Sequence, residues 1–244
     1  FVLEKTASSV NIKERLDFSC ALFDGAGELV ANAPHIPVHL GSMSESIQVV
    51  MRGHPDMKPG DAYVLNTPYN GGTHLPDITV VRPVFLHGEE SARFYVAARG
   101  HHADIGGISP GSMPSRSGHI DEEGVLLDNL VLVREGQFQE QDIRERLAMA
   151  RYPARNPDQN IADLMAQLAA CEKGAAELQR LCERYGAETV QAYMAYVQDN
   201  AEQTLRACLA TLPEGQVSSE MDDGSRFCLS LSRDPDTGNA VLDF

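Results

Sequence analysis

The stretch DITVVRPVFLHGEESARFYVAARG, residues 77–100, predicts two strands joined by a turn. Residues 77–85 and 93–100 are rich in the β-branched and aromatic side chains that are typical of strands. LHGEES, residues 86–91, supplies the turn between them. If the two strands pair as a hairpin, the start of the first and the end of the second lie at the same edge of the sheet. We therefore expect the segments that flank residues 77 and 100 to meet there.

Histidines and acids flank both of these strand ends. GTHLPD (72–77) holds His74 and Asp77 three residues apart, and Pro76 restricts the backbone between them. GHHAD (100–104) supplies two more imidazoles and a carboxylate, which are His101, His102 and Asp104. Imidazole nitrogens and carboxylate oxygens are ordinary ligands of Zn, Mn and Fe ions. The spacing predicts a metal site at this edge of the sheet, and hydrogen-bonded surface loops remain the alternative.

Strand-like runs also dominate the rest of the chain before residue 156. DFSCALFD (17–24) and LVAN (29–32) indicate a hairpin with a glycine-rich turn. DAYVLN (61–66) and NLVLVREGQF (129–138) predict further strands. SMSESIQVVMRG (42–53) predicts a helix capped by Ser42 or Ser44. Together with the helices that follow, these runs predict an α+β fold with a mixed sheet.

The apolar spacing becomes helical after residue 156. Pro157 suits the first turn of a helix, and apolar residues then recur at three- and four-residue steps. Gly186 ends this helix, and a second helix ends near Pro213. We predict that the two form an antiparallel helical hairpin over residues 157–212. Strand-like runs return in residues 216–244.

These patterns divide the chain into two regions. Residues 1–155 form a strand-rich region that carries the candidate metal and substrate site, and residues 156–244 contain the helices and terminal strands. We interpret both as parts of one truncated domain. The sequence begins at Phe1 rather than at methionine and ends on Phe244 in a strand-like run. We therefore expect it to be a fragment of a longer polypeptide.

Acidic side chains outnumber basic ones by 35 to 20, and the formal net charge is −15. Surfaces that bind nucleic acids or anionic membranes need clustered Lys and Arg, so this balance disfavours both partners. No run of 18 apolar residues predicts a transmembrane helix. The five cysteines are odd in number and form no CxxC pair, which favours free thiols in a reducing cytosol. We predict a cytoplasmic protein in which Cys171, Cys182 and Cys208 are buried on the helices.

Two well-known nucleotide and nucleophile motifs do not occur. The chain has no GxxxxGK loop, which binds nucleotide phosphates, and no GxSxG elbow, which carries the nucleophile of many serine esterases. We therefore expect no nucleotide site and no serine nucleophile of this type in this chain.

NAPHIPVHLGS, residues 32–42, contains two further histidines. Its prolines favour an extended backbone, and Pro37 disfavours a helix. His35 and His39 are four residues apart, so in an extended segment their side chains point the same way and could line a cleft. A rigid loop with hydrogen-bonded imidazoles is an equally good interpretation.

Three long segments resemble the hydantoinase B/oxoprolinase family. They are NIKERLDFSCALFDGAGELVANAPHIPVHLGSM (11–43), GDAYVLNTPYNGGTHLPDITVVRPVF (60–85) and ARGHHADIGGISPGSMP (98–114). The family includes the B subunit of N-methylhydantoinases, the C-terminal part of 5-oxoprolinase, and relatives in caprolactamase and in the acetone and acetophenone carboxylases. The resemblance is strong over residues 10–135 and looser through the helices. Because family members are longer, the chain resembles their N-terminal half.

The resemblance implies a hydrolase that acts on the C–N bond of a cyclic amide. In this family an A-type partner, either a subunit or a domain, binds ATP and phosphorylates the amide oxygen. The part that resembles this chain binds a divalent metal ion and completes the reaction, typically by opening the ring with water. We expect metal-bound water to attack the activated lactam or imide. A hetero-oligomer is expected. Two alternatives remain open, which are a carboxylase-type subunit acting on an activated ketone and a non-catalytic scaffold for the A-type partner.

The resemblance implies the metal ligands, and the chemistry of such a site leads us to expect roles for other residues. The expected ligands of Zn, Mn or Fe are Asp17, His74, Asp77 and His101. His102 and Asp104 are expected to have catalytic roles, in which they orient a ligand or move a proton. His39, Asn66 and Arg99 are expected to contact the substrate. Many relatives have Asn-Asp-Pro at residues 66–68, where this chain has Asn-Thr-Pro, and this departure leaves the substrate class open.

Overall fold

The computed structural model describes residues 1–33, 36–234 and 237–244. Within them the backbone forms six α-helices, one short 3-10 helix and ten strands. In chain order these are α1 (Val2–Thr6), α2 (Val10–Lys13), β1 (Phe18–Phe23), β2 (Leu29–Ala33), α3 (Pro37–Gly53), β3 (Ala62–Leu65), β4 (Asp77–Val84), β5 (Phe94–His101), the 3-10 helix (Ile120–Glu122), β6 (Leu130–Arg134), β7 (Gln137–Phe138), α4 (Glu140–Met149), α5 (Pro157–Tyr185), α6 (Ala187–Thr211), β8 (Gly215–Glu220), β9 (Arg226–Arg233) and β10 (Ala240–Asp243). The α+β prediction is confirmed.

The seven strands β1 to β7 form a single sheet with the order β2-β1-β5-β4-β3-β6-β7. The predicted hairpin of β4 and β5 lies at its centre, and Asp77 is directly opposite His101 in the register. Every described pairing is antiparallel, so the expectation of a mixed sheet was wrong. Parallel neighbours need a long crossover connection, usually a helix. Here β4 and β5, like β1 and β2, are joined by turns.

The helix α3 covers one face of the sheet. Side chains alternate between the two faces of a strand. On β1, β4 and β5 the odd-numbered residues point towards α3. Met43, Ile47 and Val50 lie one helical turn apart on α3 and are buried against this face. The residues packed with them from the sheet include Ala21, Phe23, Val81, Tyr95 and Ala97. At the sheet edge formed by the start of β1, the start of β4 and the end of β5, the odd-numbered residues are polar instead. These residues form the candidate site.

The helix α5 covers the opposite face and packs against β4 and β5. Its buried residues recur at three- and four-residue steps, as the sequence predicts, and include Ile161, Leu164, Leu168, Cys171 and Leu178. The helix begins at Pro157 with Asn156 as its cap, and it ends before Gly186, which has a positive φ. The change of sequence pattern at residue 156 therefore marks the start of the layer that covers the sheet.

The chain divides into two compact units, Phe1–Gln191 and Ala192–Phe244. The first unit contains the seven-stranded sheet with α1 to α5. The second contains the larger part of α6 and a three-stranded antiparallel sheet of β8, β9 and β10. Cys171 and Cys182 are buried as predicted, whereas Cys208 is exposed on α6. Among the described residues, no helix combines the length and hydropathy needed to cross a membrane.

The start of α3 departs from the sequence prediction. The helix begins at Pro37 rather than near Ser42, and Ile36 occupies its cap position. Proline is tolerated in the first turn because its missing N–H would have no partner within the helix. His39 therefore lies in a helix rather than in an extended segment. His35, which we expected beside His39 at a cleft, lies outside the described residues.

Candidate metal centre

Asp77 occupies the centre of a cluster of imidazoles at the start of β4. Its side chain is only 3% exposed. Its Oδ1 lies 3.0 Å from Nδ1 of His101, and its Oδ2 lies 3.1 Å from Nε2 of His39 and 3.3 Å from Nδ1 of His74. The register of β4 and β5 explains the first contact, since Asp77 and His101 are paired residues at the same edge of the sheet.

A tight turn places His74 beside Asp77. The Asp77 N–H donates to the carbonyl of His74 at 3.1 Å, and Pro76 lies inside this turn. The Thr73 hydroxyl donates to Oδ2 of Asp77 at 3.3 Å. His74 Nε2 lies 3.3 Å from Nδ1 of His101, which brings the second imidazole into the cluster. The His74 side chain is 42% exposed, so the cluster is open to solvent on this side.

Asp17 joins the cluster from the start of another strand, β1. It immediately precedes β1, and its carbonyl accepts the His101 N–H at 3.0 Å. This bond extends the pairing of β1 with β5 to the edge of the sheet. Oδ2 of Asp17 lies 3.9 Å from Nδ1 of His101. The structure therefore brings together all four residues that we expected to bind a metal ion.

The pKa shifts of Asp77 and His74 favour the forms that bind metal ions, whereas the shift of His101 favours a protonated imidazole that must lose its proton when an ion binds. Burial alone would raise the pKa of the Asp77 carboxyl, but hydrogen bonds from His101 and His39 outweigh it and hold that pKa well below its usual range. Burial opposes the charged form of His101, yet the hydrogen bond to Asp77 raises the pKa of that imidazole overall. Burial lowers the pKa of His74, which favours its neutral form near pH 7. Ionised carboxylates and neutral imidazoles are the forms that bind metal ions.

The donor set fits a divalent ion. One ligand atom from each of His74, Asp77 and His101 lies within 4.8 Å of the other two. A second such group, Asp17, His39 and Asp77, shares the central carboxylate. Mixed imidazole and carboxylate donors are compatible with Zn, Mn and Fe, and the chemistry of the donors does not select among these three.

His39 does not line a cleft. It is buried beneath the cluster, where Nε2 contacts Asp77 and Nδ1 lies 3.0 Å from the Ser19 hydroxyl. The imidazole is hydrogen-bonded, as in the alternative interpretation of this segment, but it lies in a helix rather than in a loop. Both ring nitrogens of His39 therefore contact groups within the protein.

Arg99 lies on the same face of the sheet and is fully buried. Its Nε donates to the Thr79 hydroxyl at 2.7 Å, and its other guanidinium nitrogens donate to the hydroxyls of Ser42 and Ser46 on α3. Burial lowers the pKa of Arg99 to about 10. Because its side chain is closed off by α3, the structure places Arg99 between sheet and helix rather than at an open surface.

The side chain of Asn66 binds three backbone groups. Its side-chain amide donates to the carbonyls of Leu75 and Val125, each at 2.9 Å, and its oxygen accepts the Leu127 N–H at 2.7 Å. These bonds hold together the loop that carries His74 and the segment before β6. The residue is completely buried, so it lies behind the cluster rather than in contact with solvent.

His102 and Asp104 lie apart from the cluster. His102 points to the opposite face of the sheet, where Nε2 lies 3.0 Å from Gln167 and Nδ1 lies 3.1 Å from Asn160, both on α5. Asp104 accepts hydrogen bonds from three backbone N–H groups and from the Arg155 guanidinium. Burial would raise the pKa of Asp104, but these bonds lower it overall. His102 is thus bound by α5 and Asp104 by nearby backbone groups and Arg155, and their catalytic roles stay predictions.

Two residues that contact the cluster were not singled out from the sequence. They are Ser19, which binds His39, and Thr73, which binds Asp77. Ser19 lies two residues after Asp17, and residues at this spacing share one face of a strand. That alternation was a usable signal for Ser19. Thr73 carried none beyond its place in the loop.

Comparison with known proteins identifies the family. Residues 1–244 match the family described as hydantoinase B/oxoprolinase. The protein 5-oxoprolinase 1 of Arabidopsis thaliana is 46% identical over 268 residues, which cover 99% of this chain and 21% of the plant protein. The caprolactamase subunit beta of Pseudomonas jessenii is 34% identical over 217 residues, which cover 88% of this chain and 36% of that subunit.

A solved structure shows the same fold. The crystal structure of the ATP-dependent caprolactamase from Pseudomonas jessenii matches this chain with a TM-score of 0.84 and 29% sequence identity, covering 99% of this chain and 42% of that one. The present chain spans about a fifth of the length of the oxoprolinases that it matches. Because its whole sequence and its fold agree with these relatives, the chain belongs to the hydantoinase B/oxoprolinase family.

Proposed function

We propose that this chain is the metal-binding part of an ATP-dependent hydrolase that opens a cyclic amide ring. The convergence of His74, Asp77 and His101, with Asp17 beside them, is the observation that carries the proposal. The relatives support the reaction class, since the chain is similar to 5-oxoprolinases and to a subunit of an ATP-dependent caprolactamase. Both names denote enzymes that act on lactams.

Asp17, His74, Asp77 and His101 would hold the divalent ion. When bound, such an ion supplies Lewis acidity, which makes a water molecule a better nucleophile at neutral pH. His74 is the most exposed member of the cluster, so the substrate would approach from its side. Asp77 and His101 are buried or nearly so and keep the geometry of the site constant. Asp17 is partly exposed and is placed to orient water that enters the site.

In this proposal a partner activates the amide. An amide carbonyl is a poor electrophile, and transfer of phosphate to its oxygen makes the carbon reactive. The sequence contains no GxxxxGK loop, and the similar caprolactamase chain is called subunit beta of an ATP-dependent enzyme. We therefore propose an A-type ATP-binding subunit or domain as the partner and a small lactam or imide as the substrate. The predicted cytoplasmic location stays a prediction.

Replacement of His74 by alanine tests the proposal. Because the His74 side chain is partly exposed, His74→Ala should fold normally, lose most of its bound metal and lose ATP-dependent ring opening in the presence of the partner. The matched control is His87→Ala, which removes an exposed imidazole from the turn at the opposite end of the same hairpin. Metal content is measured by elemental analysis of the purified protein and ring opening by product formation.

The outcomes separate the competing functions. Unchanged metal content and unchanged ring opening in His74→Ala would reject the proposal. A wild-type protein that contains no stoichiometric metal would favour the scaffold alternative. ATP-dependent incorporation of carbon dioxide into a ketone, in place of ring opening, would favour the carboxylase alternative.

A further inference from the structure

Ser19, His39 and Asp77 form a buried chain of hydrogen bonds behind the candidate metal centre. The His39 side chain is 2% exposed and the Asp77 side chain 3% exposed. Ser19 on β1 is fully buried as well. The Ser19 hydroxyl lies 3.0 Å from His39 Nδ1, and His39 Nε2 lies 3.1 Å from Asp77 Oδ2. Each of the three residues comes from a different element, so their contact exists only in the folded protein.

The chemistry of the chain assigns its donors and acceptors. An ionised carboxylate can only accept, so Nε2 of His39 carries a proton and donates it to Oδ2 of Asp77. In the neutral imidazole the other nitrogen must then accept, and the Ser19 hydroxyl is the donor that faces it. The order of donation is therefore from Ser19 to His39 to Asp77.

We propose that His39, oriented by Ser19, is the positioning residue for the carboxylate of the metal centre. Oδ2 of Asp77 receives hydrogen bonds from His39 and from Thr73, while Oδ1 faces His101. These bonds fix the rotation of the carboxylate before any ion binds. The inference rests on the metal centre proposed above, and it replaces the substrate contact that we expected for His39.

The surrounding structure holds His39 in place without help from an ion. The carbonyl of His39 accepts the Ser42 hydroxyl at 3.3 Å. Arg99 donates to Ser42 and Ser46, and the Ser46 hydroxyl in turn donates to the carbonyl of Gly71, in the loop that carries His74. The first turns of α3 are thus tied both to β5 and to the loop before β4. Removal of a residue that, like His39, hydrogen-bonds to a metal ligand commonly lowers metal affinity by about 10–100-fold.

A different role for His39 has a distinct chemical requirement. His39 could itself bind an ion with Asp17 and Asp77, because ligand atoms of these three residues lie within 4.8 Å of one another. That role needs a free lone pair on Nε2. Both ring nitrogens of His39 are engaged, Nε2 by Asp77 and Nδ1 by Ser19, whereas the contacts of His101 with Asp77 and with His74 both use its Nδ1. The geometry therefore favours positioning over direct binding.

Conservative and non-conservative substitutions of His39 test this role. The amide N–H of the glutamine in His39→Gln can occupy the place of Nε2–H and donate to Asp77, whereas His39→Leu has a similar size and no donor. The full-length protein is stripped of metal and titrated with Co²⁺, and its affinity and visible absorption spectrum are recorded. We expect His39→Leu to bind Co²⁺ about 10–100-fold more weakly than the wild type. We expect His39→Gln to stay within a few-fold of it.

Two further variants serve as controls. Ser19→Ala removes the group that orients His39, so it should weaken Co²⁺ binding in the same direction as His39→Leu but less. Ile47→Ala removes a buried side chain from the same helix, where it packs in the core away from the cluster. It should lower stability and leave Co²⁺ affinity unchanged, which separates loss of the site from general destabilisation.

Each outcome supports or overturns the positioning role. Wild-type affinity in His39→Leu would overturn it. Loss of binding in His39→Gln as severe as in His39→Leu, with a changed Co²⁺ spectrum, would also overturn it and would make His39 a ligand. If the wild type itself bound no Co²⁺, the metal centre of the proposed function would fail first, so the two failures are distinguishable.

Discussion

Asp77 is the residue on which the cluster depends, because three imidazoles approach its two carboxylate oxygens. We predict that Asp77→Asn, which preserves size and removes the charge, contains no stoichiometric metal. Its free energy of unfolding in the metal-free state should fall by about 1–3 kcal/mol, because hydrogen bonds to an ionised acceptor are stronger than those to an amide. Elemental analysis and urea denaturation measure the two effects. Asp56→Asn, at an exposed position, is the control and should change neither.

Asp104 provides a prediction about pH. Its pKa in the folded protein is lowered, so its contribution to stability is complete above the pKa of the unfolded carboxyl, which is about 3.9. That contribution is lost as the pH falls through the lower folded value. We predict that Asp104→Asn is about 2 kcal/mol less stable than the wild type at pH 7. Denaturation at pH 7, 5 and 3 should show the difference shrinking only in the most acidic sample, and a constant difference would contradict this.

Asn66 provides a test of structural against substrate-binding roles. Asn66→Ala leaves two buried carbonyls and one N–H without the side chain that binds them. We predict a loss of about 3 kcal/mol in the free energy of unfolding, measured by urea denaturation. A variant of wild-type stability with a raised KM would contradict this and would support the predicted contact with substrate.

The loop before β4 folds back so that Gly72 lies against the backbone of Asn66. This close contact determines where His74 lies. A Cβ built on Gly72 would lie 2.4 Å from the carbonyl carbon and oxygen of Asn66, and neither backbone atom can move away without moving the loop. We predict that Gly72→Ala displaces His74 and weakens metal binding about tenfold or more. Metal titration of the stripped protein measures the change.

A glycine on α3 supplies the control for that experiment. A Cβ on Gly41 meets no atom within 4 Å, and the residue is helical. Gly41→Ala should raise stability by up to about 1 kcal/mol, since alanine is the better helix former, and should leave metal affinity unchanged. Equal metal affinities for Gly72→Ala and Gly41→Ala would contradict the role assigned to the loop.

Every residue of the cluster lies in the first compact unit, Phe1–Gln191. We predict that a chain of residues 1–191 folds cooperatively and binds metal with the affinity of the 244-residue chain. A chain of residues 1–155 lacks α5, so it would expose the apolar face of β4 and β5 and should not fold. Thermal unfolding and metal titration of both chains measure this. A folded, metal-binding chain of residues 1–155 would contradict it.

The central hairpin and its flanking loops were predictable because their signals are local. Strand-forming residues on either side of LHGEES determine the pairing, and pairing alone brings Asp77 opposite His101. The alternation of side chains also separates neighbours, since His101 and His102 must point to opposite faces. His101 joins the cluster and His102 contacts α5 for this reason. Applied to the sequence, the same rule predicts that His102 lies on the face opposite His101.

The α+β class, the strands, the two long helices and the meeting of the His74–Asp77 and His101 segments at one sheet edge were predictable, because they follow from patterns within a few tens of residues. Asp17 was named as a ligand only through the family resemblance. The surroundings of His39 and Arg99 depend instead on the tertiary structure. Their partners come from distant elements, and burial of α3 on the sheet, rather than any local preference, brings them together. In this packing both side chains make hydrogen bonds within the protein, since a polar group that loses water must bind another part of the protein.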